Sequence, residues 1–139
     1  FIGANDGFPL PAGGRQLPCC SRAWSKALAG RARSMVDSYA RRGAGVVYWF
    51  LLPLPRSPDL RRMFRAINLG YQLAAAANPD DMRLIDATKT FTPHGYRNSM
   101  RVGDRTITVH QADGYHLSYP AMRIASKLVL EAMRRDRVI

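Results

Sequence analysis

Asp113-Gly114-Tyr115-His116-Leu117-Ser118 sets a carboxylate three residues ahead of a histidine. A histidine that takes a proton from a nucleophile must present a neutral ring nitrogen to it. Its other nitrogen carries the hydrogen, and a carboxylate accepting that N–H fixes the tautomer and stabilises the imidazolium formed during reaction. A tight turn brings side chains three residues apart within reach, and Gly114 helps the turn form. The chemistry implied is general-base activation of a nucleophile by His116, oriented by Asp113. The spacing alone is common by chance. The competing reading is a helix-entry loop in which Asp113 caps backbone amides and His116 is merely exposed.

Asn5, in Gly3-Ala4-Asn5-Asp6, is the second candidate. Its side-chain N–H suits the oxyanion of a tetrahedral intermediate, a donor whose loss typically costs about 100- to 1000-fold in rate. The competing reading is an Asx-turn at a strand end. His110 could line the same pocket, although a surface position is the plainer expectation. His94, with Arg97, is a candidate contact for a substrate carboxylate or phosphate. Trp24, Tyr48 and Trp49 are expected in the core. Cys19 and Cys20 are adjacent, and a bridge between neighbours forces strained geometry, so a mutual disulfide is not expected. No other cysteine is present, which leaves no disulfide framework and no metal set. Pairing to a cysteine upstream of Phe1 stays open.

These residues need elements to hold them. Phe1 to Ala4 reads as the end of a buried strand, turned outward by Asn5-Asp6-Gly7. The Pro- and Gly-rich stretch from Phe8 to Cys20 is loop chemistry. Ser21 is a helix N-cap, with Trp24, Leu28, Met35, Val36 and Tyr39 on one stripe and Gly43 as the stop. Gly45 to Leu52 is β-branched and aromatic without alternation, which suits a strand covered on both faces. Pro53 and Pro55 end it. A helix starting near Asp59 carries Leu60, Met63, Phe64, Ile67 and Tyr71 and stops at Asn78-Pro79. Met82 to Ile85 is a short strand, Thr88 to Gly103 a polar loop, and Thr106 to Val109 a small extended piece. Ser118 caps a last helix with Pro120 in its first turn. Ile124, Ala125, Leu128 and Ala132 form its apolar face, and Arg134 and Arg135 sit at its favourable end.

Alternation of strand and helix indicates an α/β domain with a parallel sheet and helices on both faces. Ligands bind beyond the C-terminal ends of such strands. Asn5 and the Thr88–His116 region would emerge on that same edge. A chain of 139 residues has room for one domain with a modest core. Its longest apolar run, Val46 to Leu52, is far short of the roughly 18 residues needed to span a bilayer, so no stable membrane insertion is expected. The net charge of +11 is mostly arginine, scattered along helices as in Arg31, Arg33, Arg41, Arg42, Arg61, Arg62 and Arg65. They read as solvated faces. No zinc-finger, recognition-helix or aromatic RNA-binding signature accompanies them, so no nucleic-acid partner is expected.

Gly3-Ala4-Asn5-Asp6 resembles the third sequence block, Gly-x-Asn-Asp, of the SGNH (GDSL-type) hydrolases. Asp113-Gly114-Tyr115-His116-Leu117-Ser118 resembles their fifth, Asp-x-x-His. The blocks stand in the right order, with suitable elements between them. The Trp24 helix, Leu52-Pro53-Leu54-Pro55-Arg56 and Asn68 resemble a bacterial branch of that superfamily. The resemblance implies a three-layer α/β/α, flavodoxin-like fold with a five-stranded parallel sheet. Residues 1–139 would be the C-terminal part of that single domain, its N-terminal strands missing from this chain. It implies His116 as general base, Asp113 as its orienting partner and Asn5 as an oxyanion donor.

In that family the nucleophilic serine lies in a Gly-Asp-Ser block after the first strand, which would precede Phe1. Gly103-Asp104 is followed by Arg105 and is a false echo. The serines of this chain lie in helices, caps or loops without the required glycine turn. The activity implied is esterase chemistry through an acyl-enzyme, on a small-molecule or carbohydrate ester, with no metal and no cofactor. These residues alone would not turn over by that route. The alternative is a non-catalytic module that binds a carbohydrate or a protein partner in the same cleft. The family also implies an extracytoplasmic location.

Overall fold

The computed structural model describes residues 7–41 and 43–139. Asn5 and the strand end expected at Phe1 to Ala4 lie outside the described residues. The segment expected as loop opens with a hairpin. Strand β1, Leu10–Ala12, pairs antiparallel with β2, Arg15–Leu17. Gly13 and Gly14 join them at φ +56° and +75°, the left-handed values that favour glycine in a two-residue turn.

Helix α1, Arg22–Ala40, begins as expected, with the Ser21 hydroxyl accepting from the Trp24 amide at 3.1 Å. It ends earlier than expected: Arg41 adopts the left-handed conformation, with φ 49°. The buried stripe is Trp24, Ser25, Leu28, Ala29, Ala32, Val36 and Ala40. Met35 and Tyr39, expected on it, are exposed. The stripe centres instead on small residues, which lets helix α2, Pro58–Ala77, lie close. A Cβ on Gly70 of α2 would stand 3.0 Å from the Leu28 side chain and the Ser25 carbonyl oxygen. The Ser25 hydroxyl donates to the Ala66 carbonyl across the contact at 2.9 Å. The N-cap of α2 is Ser57, two residues before the expected Asp59, with Pro58 in the first turn.

Strand β3, Val47–Leu51, pairs in parallel with β4, Met82–Asp86, in the register Val47↔Met82 to Leu51↔Asp86. One apolar cluster joins Trp24, Leu28, Val36, Phe64, Ile67 and Tyr71 of the helices to Leu51 and Met82, with Val47, Trp49 and Leu84 against it. Fully burying each large side chain there contributes about 1.5–3 kcal/mol. Phe50 packs into a second cluster with Phe91, Val109, Leu117, Ala121 and Ala125. The parallel pair is thus packed on both sides, as its unalternating sequence requires. Among the described residues the parallel sheet has two strands, β3 and β4; the strand end expected at Phe1 to Ala4 lies outside them, and the five-stranded sheet that the resemblance implies for the whole domain is not seen.

The expected loop from Thr88 to Gly103 carries more structure. Helix α3, Ala87–Phe91, is capped by Asp86, whose Oδ1 accepts from the Thr88 and Lys89 amides at 3.0 and 3.3 Å. Strand β5, Ser99–Val102, forms an antiparallel hairpin with β6, Arg105–Thr108. Helix α4, Tyr119–Arg135, closes the chain, capped by Ser118 with Pro120 in its first turn. Its far end is tied to the sheet by the Tyr48 hydroxyl, which donates to Asp136 Oδ2 at 2.9 Å. The chain is therefore mixed α/β, with four helices and short parallel and antiparallel sheets among the described residues. No helix among them is long and apolar enough to cross a membrane.

Candidate active site

Beyond β6 the chain turns back on itself. The Gln111 amide donates to the His116 carbonyl and the Ser118 amide to the Val109 carbonyl, each at 2.8 Å. The Gln111 side chain adds a bond to the Leu117 carbonyl at 3.0 Å. These hold Val109–Gln111 against His116–Ser118 and leave 112–115 as a tip, closed by the Gly114 amide on the Gln111 carbonyl at 2.9 Å.

Asp113 does two things at once within that tip. Its Oδ1 accepts from the Tyr115 and His116 amides at 3.0 Å each. Its Oδ2 meets His116 Nδ1 at 2.7 Å. One carboxylate therefore makes both the amide caps of the one reading and the histidine contact that the other requires. The Tyr115 amide, then the His116 ring and amide, hold its pKa down at about 2. A folded value below the ordinary 3.8 means the contribution to stability is complete above the usual carboxylate range and lost as pH falls towards about 2. The carboxylate accepts the Nδ1–H and so sets the tautomer, which leaves Nε2 as the basic nitrogen. Nε2 makes no hydrogen bond among the described residues, and the His116 side chain is half exposed.

Three bonds fix the wall behind this turn. Leu52, just past β3, gives its amide to Asn68 Oδ1 at 2.8 Å and receives Asn68 Nδ2 on its carbonyl at 2.9 Å. Thr92 Oγ1 accepts from the Leu54 amide at 3.0 Å. Side chains thus replace a strand neighbour along Leu52-Pro53-Leu54-Pro55-Arg56. Arg56 then grips the turn: its amide donates to the Gly114 carbonyl at 2.9 Å and its Nη2 to the Ala112 carbonyl at 2.6 Å. Arg56 had no sequence signal beyond its place in the Leu52–Arg56 stretch of the resemblance. A cavity of about 290 Å³ lies between this wall and the turn, lined by Leu52, Pro53, Phe64, Leu117 and Met122, with His116 and Gln111 among its polar groups. The turn thus packs on the segment leaving β3, at the strand-end edge where chemistry was expected.

Gly114 has φ +78°, and a Cβ there would stand 2.8 Å from Arg56 Cβ and Nε. Gly114→Ala therefore combines a strained backbone with a collision. It should lower stability by about 1–3 kcal/mol, read as a lower urea midpoint. An unchanged midpoint would show that the turn is not held as described.

The other histidines fall elsewhere. His110 is not on the surface but 1% exposed. Its Nδ1 donates to the Arg97 carbonyl at 3.1 Å, its ring lies 4.9 Å from that of Tyr96, and its Nε2 has no partner among the described residues. Burial, outweighing the Arg97 carbonyl and Asp113, pushes its pKa below the ordinary 6.5. A lowered value keeps the folded ring neutral where the unfolded chain takes a proton. Stability from this site is full above pH 6.5 and declines as pH falls towards the folded value. Denaturant midpoints should therefore drop between pH 7 and 5, and the drop should shrink in His110→Asn. An equal drop in both proteins would assign it to other groups.

His94 is exposed at a separate polar cavity of about 470 Å³ with Arg65, Asn68, Thr88 and Thr92. Arg97 does not join it. Its guanidinium is spent on the Phe91 and Thr90 carbonyls at 2.8 and 2.5 Å. None of the chain's eight serines is hydrogen-bonded to His116: Ser21, Ser57 and Ser118 cap helices, and Ser25, Ser34, Ser38 and Ser126 bond to helix carbonyls. Cys19 and Cys20 are bonded to each other, against expectation. The peptide bond between them is cis, which brings their Cα atoms to 3.2 Å. Among the described residues no three His, Cys, Asp or Glu side chains are grouped to hold a metal. A family model described as "Protein of unknown function (DUF459)" matches residues 1–132. No curated protein matches the chain.

Proposed function

The chain belongs to the DUF459 family, and from that premise we propose that it is the base-bearing part of an SGNH-type ester hydrolase. The observation that carries the reading is the 2.7 Å contact of Asp113 Oδ2 with His116 Nδ1. With Nδ1–H committed to the carboxylate, Nε2 faces a nucleophile as acceptor. A serine hydroxyl from the Gly-Asp-Ser block of the longer domain gives its proton to Nε2 while its oxygen attacks the acyl carbonyl. Asn5 donates to the resulting oxyanion. The imidazolium, stabilised by Asp113, then protonates the departing alcohol, leaving an acyl-enzyme. Water, deprotonated by the same histidine, releases the acid. The apolar cavity beside His116 suits a short acyl group such as acetyl, on a small-molecule or carbohydrate ester.

A second reading rests on one observation: no serine among the described residues reaches His116. On that reading the cleft binds a carbohydrate or a protein partner and does not turn over. Hydrolysis of short-chain p-nitrophenyl esters by the complete chain and by its His116→Ala variant separates the two. Turnover lost in the variant supports the hydrolase. Turnover equal in both removes His116 as base.

A further inference from the structure

Arginines that read as scattered along helices converge in space. Arg22 from the start of α1 and Arg61, Arg62 and Arg65 from α2 line one open cleft of about 610 Å³ between the two helices, with Cys20 and Pro58 at its end. Among the described residues no carboxylate lines it and none of the four makes an ion pair. Such convergence is unfavourable unless something compensates it. Like charges three and four residues apart destabilise a helix, and cations near helix starts oppose the macrodipole. Arg22 is the first residue of α1, and Arg61 lies in the opening turns of α2.

The arginines are also incompletely used. Arg61 gives Nη2 to the Arg56 carbonyl at 2.9 Å, yet its Nε is shielded from solvent and has no hydrogen-bond partner among the described residues. A buried donor left unpaired is costly. Guanidinium forks suit the tetrahedral oxygens of phosphate and sulfate, which they bind bidentately. We propose that this cleft is a binding site for a multiply charged oxyanion, a phosphate or its ester, distinct from the Asp113–His116 turn. The anion sits among the Arg22, Arg61, Arg62 and Arg65 guanidiniums.

The site does not depend on ester hydrolysis, so its test does not either. Inorganic phosphate should raise the melting temperature of the protein saturably, beyond chloride at equal ionic strength. Arg62 and Arg65 are exposed and make no ion pair among the described residues, so Arg62→Gln/Arg65→Gln should fold. It should weaken phosphate binding at least tenfold by calorimetry, while the phosphate-free protein melts no lower than the parent. A merely structural role for these arginines predicts a lower phosphate-free melting temperature instead. Arg61→Lys keeps the charge but loses the fork, and should also weaken binding. Two arms separate the sources of the group: glycerol 3-phosphate in solution, and phosphatidylcholine vesicles with and without phosphatidic acid. Binding in either arm that the double variant loses supports the site and identifies its source. Equal effects of phosphate and chloride, or unchanged phosphate binding in the double variant, overturn it.

Discussion

His116→Ala in the complete chain should abolish ester hydrolysis, lowering kcat by about 10⁴-fold or more, while the fold survives. The side chain is half exposed and its one hydrogen bond among the described residues goes to Asp113, so its loss leaves no buried hole. Asp113→Asn is the more discriminating change. Its Oδ1 can still accept the Tyr115 and His116 amides that close the turn. Its amide nitrogen, however, would face Nδ1 as a donor and favour the opposite tautomer, with the hydrogen on Nε2. That tautomer cannot take a proton from the nucleophile. The expected loss is again about 10⁴-fold. Because the amides and the His116 ring hold the Asp113 carboxyl down at about 2, the native carboxylate stays charged throughout the range of ester assays, and the parent should lose no activity there through its protonation. Circular dichroism and urea midpoints check that both variants fold. Full activity in Asp113→Asn would make the carboxylate a capping residue and nothing more.

That turn was legible because its chemistry is local: three residues of spacing and one glycine define it. The starts of α1 and α4 were legible for the same reason, since Ser21 and Ser118 act on amides three residues away. What the sequence hid depends on distant partners. The Leu10–Leu17 hairpin is two three-residue strands, too short for alternation to register. Helix α3 is five residues of mostly weak helix formers and exists through its Asp86 cap. The buried stripe of α1 runs through alanines, which carry little hydropathy signal but permit close approach at Gly70. His110 sits in a polar stretch that says nothing of its burial. Nor did the linear spacing of Arg22, Arg61, Arg62 and Arg65 indicate that two helices bring them to one cleft. The resemblance marked Leu52 to Arg56 and Asn68 without a reason, and the reason is a pair of hydrogen bonds.

Those bonds support the second large effect. Asn68 is buried on α2, and its amide meets both the N–H and the C=O of Leu52, itself 2% exposed. No strand neighbour serves those groups among the described residues, so Asn68→Ala leaves both unpaired away from water. Each such group costs about 1–3 kcal/mol, and the expected destabilisation is about 2–5 kcal/mol, a large share of the ~5–15 kcal/mol typical of a folded domain. The urea midpoint should fall accordingly. Asn68→Asp separates donor from acceptor. It can still accept the Leu52 N–H but brings a carboxylate oxygen against the Leu52 carbonyl, so it should not restore the midpoint at neutral pH and should recover partly in acid, where a protonated carboxyl can donate. The consequence extends past stability. Leu52 begins the segment that carries Arg56 to the Ala112 and Gly114 carbonyls, so loosening it should loosen the grip on the Asp113–His116 turn. At temperatures where Asn68→Ala remains folded, ester hydrolysis by the complete chain should fall with KM little changed, because the base is misplaced while the apolar cavity persists. A normal midpoint in Asn68→Ala would mean water serves Leu52 as well as the amide does, and would remove α2 from the support of the site.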